Sequence, residues 1–271
     1  MLSINTNLAS QKAAYALGNV DSQMNTTMDQ LSTGKNAVDA ATADDAFVIN
    51  LEKQDKSLNQ FVKNAQDGLN LVNVASATLT QSTQMLEQMK VLAEQASNGV
   101  YTTSDLSGMN TKYTALLNEV NRAASSATFN GIQLADGTNS SVAIFVNDTA
   151  SLGISVSLAN ISTGSSGLDI ATTSISSTSN AATAITKLDT ALSTVATAST
   201  AYSSVAQRVQ YSISNLSAAQ QNISKARSTV QDTDYATATS SLAKQNVLKS
   251  AANAMLVQAN QAPQMVLQLL R

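Results

Sequence analysis

The chain has 271 residues, 43% of them hydrophobic, yet only 4% are aromatic and 12% charged, with one Pro and no Trp, His or Cys. Its interior must be built from Ala, Val, Leu, Ile and Met, and disulfides, thiolate nucleophiles, imidazole bases and the usual zinc ligand sets are excluded. A net charge of -3, with 15 Lys and Arg scattered without a run, speaks against nucleic acid as a partner.

The opening Met1-Leu2-Ser3-Ile4-Asn5 has neither the charged nor the apolar region of a cleaved secretory signal, and no stretch approaches the roughly 18 apolar residues of a membrane span. A soluble chain is expected, exported if at all without a cleaved signal. Ala13, Leu17, Val20, Met24, Met28 and Leu31 then form an apolar stripe at helical spacing.

From residue 51, apolar residues recur at every seventh position: Leu51, Leu58, Ala65, Val72, Leu79, Leu86 and Ala93. This predicts a long helix over 51–97 with a heptad seam, on the order of 70 Å long at about 1.5 Å per residue. After Asn98-Gly99, Leu106, Met109, Tyr113, Leu116, Val120, Ala123 and Ala127 predict a helix over 105–127, with Ser104 or Asp105 as its cap.

Between Arg122 and Lys187 there is no basic residue, and the period changes. Asn130-Gly131 is a turn signal, and the alternations Val142, Ile144, Val146 and Ile154, Val156, Leu158 predict one or two hairpins over about 130–160. Ser162 to Asn180 reads as loop.

A second heptad seam follows at Leu188, Val195, Tyr202, Val209, Leu216, Ile223 and Val230, predicting a helix over 181–230 that lies along the other two. The tail carries Leu248, Ala252, Met255, Ala259, Ala262, Val266 and Leu269, with Asp234 as a candidate cap and Pro263 as the site of an expected kink or fraying. The predicted fold is therefore mainly α: a long, coiled-coil-like antiparallel helical rod formed from the N- and C-terminal halves, with a small β-hairpin region in the middle.

The two terminal helices can satisfy their seams by pairing with each other, but a two-helix hairpin has no full core. Ala- and Leu-rich faces remain for neighbours to cover. The bland alternative is that both ends fold onto the rod of the same monomer.

Several motifs in order resemble those of the bacterial flagellins, here a short form without large outer domains. They are Ile4-Asn5-Thr6-Asn7 with Leu8, Leu31-Ser32-Thr33-Gly34, Ala43-Asp44-Asp45-Ala46, Asn64-Ala65-Gln66-Asp67-Gly68 and Thr128-Phe129-Asn130-Gly131 near the head. Near the tail are Asn222 to Ser228, Asp232-Thr233-Asp234-Tyr235-Ala236 and Gln258 to Leu267. The resemblance implies a self-polymerising structural subunit of the extracellular flagellar filament, serving motility. Residues 1–46 and 229–271 would form the filament's inner core with its spacers, residues 47–135 and 181–228 a helical rod layer, and residues 136–180 an outward-facing segment.

On this basis the subunit interface is expected at Leu8, Leu17, Val20, Met24, Met28, Leu31, Leu248, Ala252, Met255, Ala259, Ala262, Val266, Leu269 and Leu270. The resemblance also implies partners: further copies of the chain, the flagellar export apparatus and its chaperone, the filament cap and the hook–filament junction proteins. It implies no membrane, nucleic-acid or cofactor partner. The surface read by the flagellin-sensing Toll-like receptor of animals would correspond to Gln88, Lys90, Leu92, Gln95 and Glu119, with Gln88 standing where the family's leading Arg is found. The spacer Gly34-Lys35-Asn36-Ala37-Val38-Asp39 also departs from the family's usual basic or Arg-Ile-Asn segment.

Competing functions are a flagellin-like hook-associated junction protein and a cell-surface adhesin. The Ser- and Thr-rich middle offers an adhesin no aromatic platform beyond Phe145. A His-Glu-x-x-His protease motif is impossible without His, and Gly34-Lys35 lacks both the Gly and the Ser or Thr of a phosphate loop. Asp44-Asp45 and Asp232 with Asp234 read as caps or turns in preference to metal ligands. Asn25, Asn139, Asn147 and Asn160 begin glycosylation sequons of the kind expected by chance in so Ser- and Thr-rich a chain, and modification is expected on residues 138–180.

Overall fold

The computed structural model describes residues 6–36, 43–147 and 153–269, without the side chains of 43–45 and 262–269. Its elements are helices α1 (Leu8–Thr33), α2 (Ala43–Ser97) and α3 (Thr103–Ser126), strands β1 (Thr128–Phe129), β2 (Ile132–Gln133), β3 (Ser141–Ile144) and β4 (Ile154–Ser157), and helices α4 (Thr178–Gln231) and α5 (Tyr235–Leu269). The predicted mainly α class with a small hairpin region is the observed one. The helix predicted from residue 51 starts earlier, at Ala43. The chain divides into two compact units, Lys56–Gln220 and the two terminal segments Met1–Asp55 with Gln221–Arg271. The sequence boundaries at 46/47 and 228/229 both fall within the second of these.

In the unit Lys56–Gln220, α2 buries Ala65, Val72, Ala75, Leu79, Leu86, Met89, Ala93 and Ala96, with Gly68 and Ser82 completing an unbroken alternation of three- and four-residue steps. The matching series on α4 is Ala181, Ala184, Leu188, Ala191, Val195, Tyr202, Val205 and Val209. This is the spacing that keeps one stripe of each helix facing its partner. Lys90 and Asp189 form an ion pair at 2.6 Å, and Gln220 donates to Asn59 at 2.8 Å. The second contact lies as many residues back along α2 as it lies forward along α4, so the two helices run antiparallel in one register.

The third helix closes this core with Tyr113, Leu117, Val120, Ala123 and Ala124. Its cap is Thr102, outside the predicted Ser104 or Asp105. The Thr102 hydroxyl accepts from the Asp105 N–H, and the Asp105 carboxylate accepts from the Thr102 N–H, a reciprocal pair that satisfies two free amides of the first turn. The Thr102 hydroxyl also donates to the Asp105 carboxylate at 2.7 Å, and this bond first, then that from the Thr102 N–H, holds the carboxyl below its ordinary range.

Both hairpins form. Strands β1 and β2 pair Phe129 with Ile132 across Asn130-Gly131, whose φ angles of 50° and 80° make the left-handed two-residue turn that the dipeptide announces. Strands β3 and β4 pair Ser141 with Ser157 through Ile144 with Ile154. The β3–β4 hairpin rests on α2 at Gly68, where an added Cβ would overlap the Ile144 side chain, and Asn64 donates to the Phe145 carbonyl at 3.2 Å. Asn64 to Gly68 is thus a docking platform, and its glycine is needed for close approach.

Residues 158–177 have no regular element yet bury Ile161, Leu168, Ile170 and Ile175. Hydrogen bonds replace periodicity there. Tyr113 bonds Thr173 at 2.7 Å, Ile175 N–H donates to Asn110 at 2.8 Å, and Ala159 N–H donates to the Tyr202 hydroxyl at 2.9 Å.

Candidate assembly surface

The terminal unit is organised by the pairing of α1 with α5. Asn7 caps α1 by accepting from the Ser10 N–H, and its amide donates to the Ala259 carbonyl at 2.8 Å, tying the start of α1 to the far part of α5. At the other end of α1, the Tyr235 hydroxyl donates to the Leu31 carbonyl at 3.3 Å. The helices therefore run antiparallel.

Their seam is partly polar. On α1 the half-buried or buried positions are Ser10, Ala13, Leu17, Val20, Asp21, Met24, Thr27, Gln30 and Leu31; on α5 they are Ala238, Ser241, Leu242, Gln245, Lys249, Ala252, Leu256 and Ala259. Gln245 donates to the Thr27 hydroxyl at 3.0 Å, and Lys249 pairs with Asp21 at 2.8 Å.

The predicted stripes are therefore corrected at three places. Thr27 is buried where Met28 was expected, and Lys249 and Leu256 occupy the seam where Leu248 and Met255 were expected, one position off, while Gln245 extends the seam ahead of the predicted stripe. The displaced residues point to solvent: Met28 is 43% exposed, Leu248 43% and Met255 65%, with Leu8 at 63%. Tyr15, Val247 and Val257 are exposed as well. Leu17, Val20, Met24, Leu31, Ala252 and Ala259 belong to the intrachain pairing. The side chains of Ala262, Val266 and Leu269, and all of Leu270, lie outside the described residues, as do the side chains of Asp44 and Asp45 and the segment Ala37–Asp39. Helix α5 continues through Pro263, the site of the expected kink or fraying, to Leu269.

The junctions of the two terminal helices are locked side by side. Gly34 ends α1 with φ 69°, its N–H donating to Gln30 and its carbonyl accepting from Thr233; Asn36 N–H donates to Gln231, and Lys35 bridges Asp232. This left-handed conformation favours glycine, and a Cβ there would also lie 3.2 Å from the Tyr235 hydroxyl. Asp234 caps α5 as predicted, accepting from the hydroxyl and N–H of Thr237 and from the N–H of Ala236, which lowers its pKa.

The candidate receptor residues lie in the other unit. Gln88 and Gln95 are exposed on α2, Leu92 is half-buried against the core, and Lys90 is engaged by Asp189 and, at 3.9 Å, by Glu94. Glu119 on α3 is paired with Arg122, whose guanidinium holds the carboxyl below its ordinary range.

Residues 4–140 match the bacterial flagellin N-terminal helical region, and residues 185–270 match the bacterial flagellin C-terminal helical region. The chain is 31% identical over 271 residues to a flagellin of Halalkalibacterium halodurans, covering 99% of each. It belongs to the bacterial flagellin family. As such it is a structural subunit of the flagellar filament. Among solved structures it resembles Bacillus cereus flagellin, with 27% identity, a TM-score of 0.52, and coverage of 57% of this chain and 88% of that one. A chain described as a flagellar hook-associated protein from Vibrio parahaemolyticus has a TM-score of 0.57 at 14% identity, covering 67% of this chain and 95% of that one. That likeness is one of fold alone and does not favour the junction-protein alternative. Among the described residues no helix is long and apolar enough to cross a membrane.

Proposed function

We propose that the chain polymerises with copies of itself by burying the apolar side chains that the intrachain seam of the α1–α5 pair leaves open: Leu8 and Met28 on α1, Leu248 and Met255 on α5. The observation that carries this reading is the one-position displacement of Leu248 and Met255 from the seam positions Lys249 and Leu256, which leaves large apolar side chains to solvent. An exposed set of this kind on a two-helix hairpin gains its interior from neighbours, at about 1.5–3 kcal/mol for each large side chain fully covered. Ala262, Val266, Leu269 and Leu270 extend the same face toward the chain end in this reading, while Leu17, Val20, Met24, Leu31, Ala252 and Ala259 support it from behind.

In the assembled filament, residues 1–46 and 229–271 form the inner core, residues 47–135 and 181–228 the rod layer, and residues 136–180 the outward segment. The protein acts without catalysis, outside the cell, after passage through the flagellar export apparatus with its chaperone, and adds beneath a cap onto the junction proteins. Gln88, Lys90, Leu92, Gln95 and Glu119 form the surface offered to the animal flagellin receptor. With Gln88 in place of Arg, and Lys90 and Glu119 held in intrachain ion pairs, receptor activation is weak.

The test of the assembly reading is seeded polymerisation of Leu248→Ser and Met255→Ser. Each substitution is expected to raise the critical concentration about tenfold or more while leaving monomer helicity unchanged. Unaltered critical concentrations for both would reject it.

A further inference from the structure

We infer that Met28 and Met255 are oxidation sites through which a peroxide blocks incorporation of free subunits, while the folded unit Lys56–Gln220 and subunits already assembled are spared. The inference rests on the assembly face proposed above. It comes from where the methionines lie. Met85 and Met89 are buried in the α2 seam, Met109 packs half-buried against the same core, and Met24 is half-buried in the α1–α5 seam. Met28 and Met255 are open to solvent on the two helices of the terminal unit, as are Leu8, Tyr15, Val247 and Leu248.

The chemistry is a two-electron oxygen transfer. The thioether sulfur attacks one peroxide oxygen, the O–O bond breaks, a sulfur–oxygen bond forms, and water leaves, converting a soft apolar side chain into a polar sulfoxide. In the free subunit Met255 is 65% and Met28 43% exposed, so neither sulfoxide enters a closed core. Covering it in a neighbour's apolar surface without a hydrogen-bond partner is unfavourable, so the effect falls on association and not on folding. Covered sulfurs in a finished polymer are beyond the oxidant's reach, so sensitivity depends on assembly state. A sulfoxide is reducible by methionine sulfoxide reductases, which makes the block reversible.

The experiment treats full-length monomer and preformed filament with hydrogen peroxide and follows every methionine, including Met1 and Met265, by peptide mass mapping. Met28 and Met255 are expected to convert first in the monomer and at least about tenfold more slowly in the filament. Oxidised monomer should keep its helicity, show a critical concentration raised about tenfold or more in seeded assembly, and recover after treatment with the reductases. The double variant Met28→Leu/Met255→Leu should assemble equally well before and after peroxide.

Untreated protein that never polymerises would defeat the assembly reading itself. Untreated protein that polymerises, while monomer converted at both sulfurs polymerises equally well, would defeat only this inference. It would also be defeated by a double variant that peroxide inactivates as fully as the parent chain, or by an assembly loss that the reductases do not reverse.

Discussion

Gln245 donates a 3.0 Å hydrogen bond to the Thr27 hydroxyl, and both residues are nine-tenths buried in an otherwise partly covered pair of helices. Thr27 in turn donates to the Gln23 carbonyl at 2.9 Å, so its hydroxyl has both a donor and an acceptor role. A polar pair at facing seam positions fixes register, because any slip leaves both groups against apolar neighbours. The two halves of the pair are not equivalent. Thr27→Val removes the only acceptor that the buried Gln245 amide has in this pair and should cost about 1–3 kcal/mol, whereas Gln245→Leu leaves Thr27 bonded within its own helix and should cost less. Amide exchange across α1 in the two variants gives the comparison, and greater opening in Gln245→Leu would refute the assigned roles.

Gly68 is where α2 admits the β3–β4 hairpin. A methyl group there meets Ile144 at both Cγ atoms and at Cδ1. Gly68→Ala is therefore expected to destabilise the unit Lys56–Gln220 by about 1–3 kcal/mol despite the better helix propensity of Ala. Ile144→Ala alone opens a cavity at a buried position and should cost about 2–5 kcal/mol. Since the added methyl enters the space vacated, the double variant should be more stable than the sum of the two single losses predicts. Thermal unfolding of the three variants measures this; strict additivity would show that the two side chains do not compete for one volume.

What was legible in the sequence follows the same physics. The seams of α2 and α4 could be read because nearly every position in them is apolar, so hydrophobicity and packing select the same stripe. On α5 the two criteria part. Leu248 and Met255 mark the more apolar stripe, while Gln245 and Lys249 take the seam because Thr27 and Asp21 offer them partners across it. Only a reading that weighed complementary polar pairs between the two ends would have found that offset. The buried residues Ile161, Ile170 and Ile175 were hidden for another reason: their segment has no period, and is held by hydrogen bonds that its Ile175 and Ala159 N–H groups donate to Asn110 and Tyr202 and by the bond between Thr173 and Tyr113.

The cap of α5 gives an acid sensitivity. The Asp234 carboxyl is lowered by the Thr237 hydroxyl first and then by the N–H groups of Thr237 and Ala236. A lowered folded pKa means that the cap's contribution is complete above the ordinary Asp value of about 3.9 and disappears as pH falls through the folded value. The first turn of α5 should accordingly open in acid. Asp234→Asn keeps an acceptor oxygen but cannot titrate, and should hold that turn with little change through the same range; Asp234→Ala should open it at every pH. Exchange rates at Ala236, Thr237 and Ala238 read the effect, and an acid response in Asp234→Asn equal to the parent's would assign it elsewhere.

Tyr202 and Tyr113 give the other unit an alkaline sensitivity. Burial raises both phenols above the ordinary value of about 10, against the opposing hydrogen bonds from Ala159 N–H to Tyr202 and between Thr173 and Tyr113. The folded chain then keeps these protons to higher pH than the unfolded chain does. Their contribution is whole below the unfolded pKa and is lost as pH rises through that value toward the folded one. Melting temperature should therefore fall with pH above about 10, more steeply in the parent than in Tyr202→Phe. At neutral pH Tyr202→Phe is the less stable of the two, because it leaves the Ala159 N–H unpaired beside a buried ring, at about 1–3 kcal/mol. Two melting curves against pH that stay parallel would show that Tyr202 keeps its ordinary pKa in the folded chain.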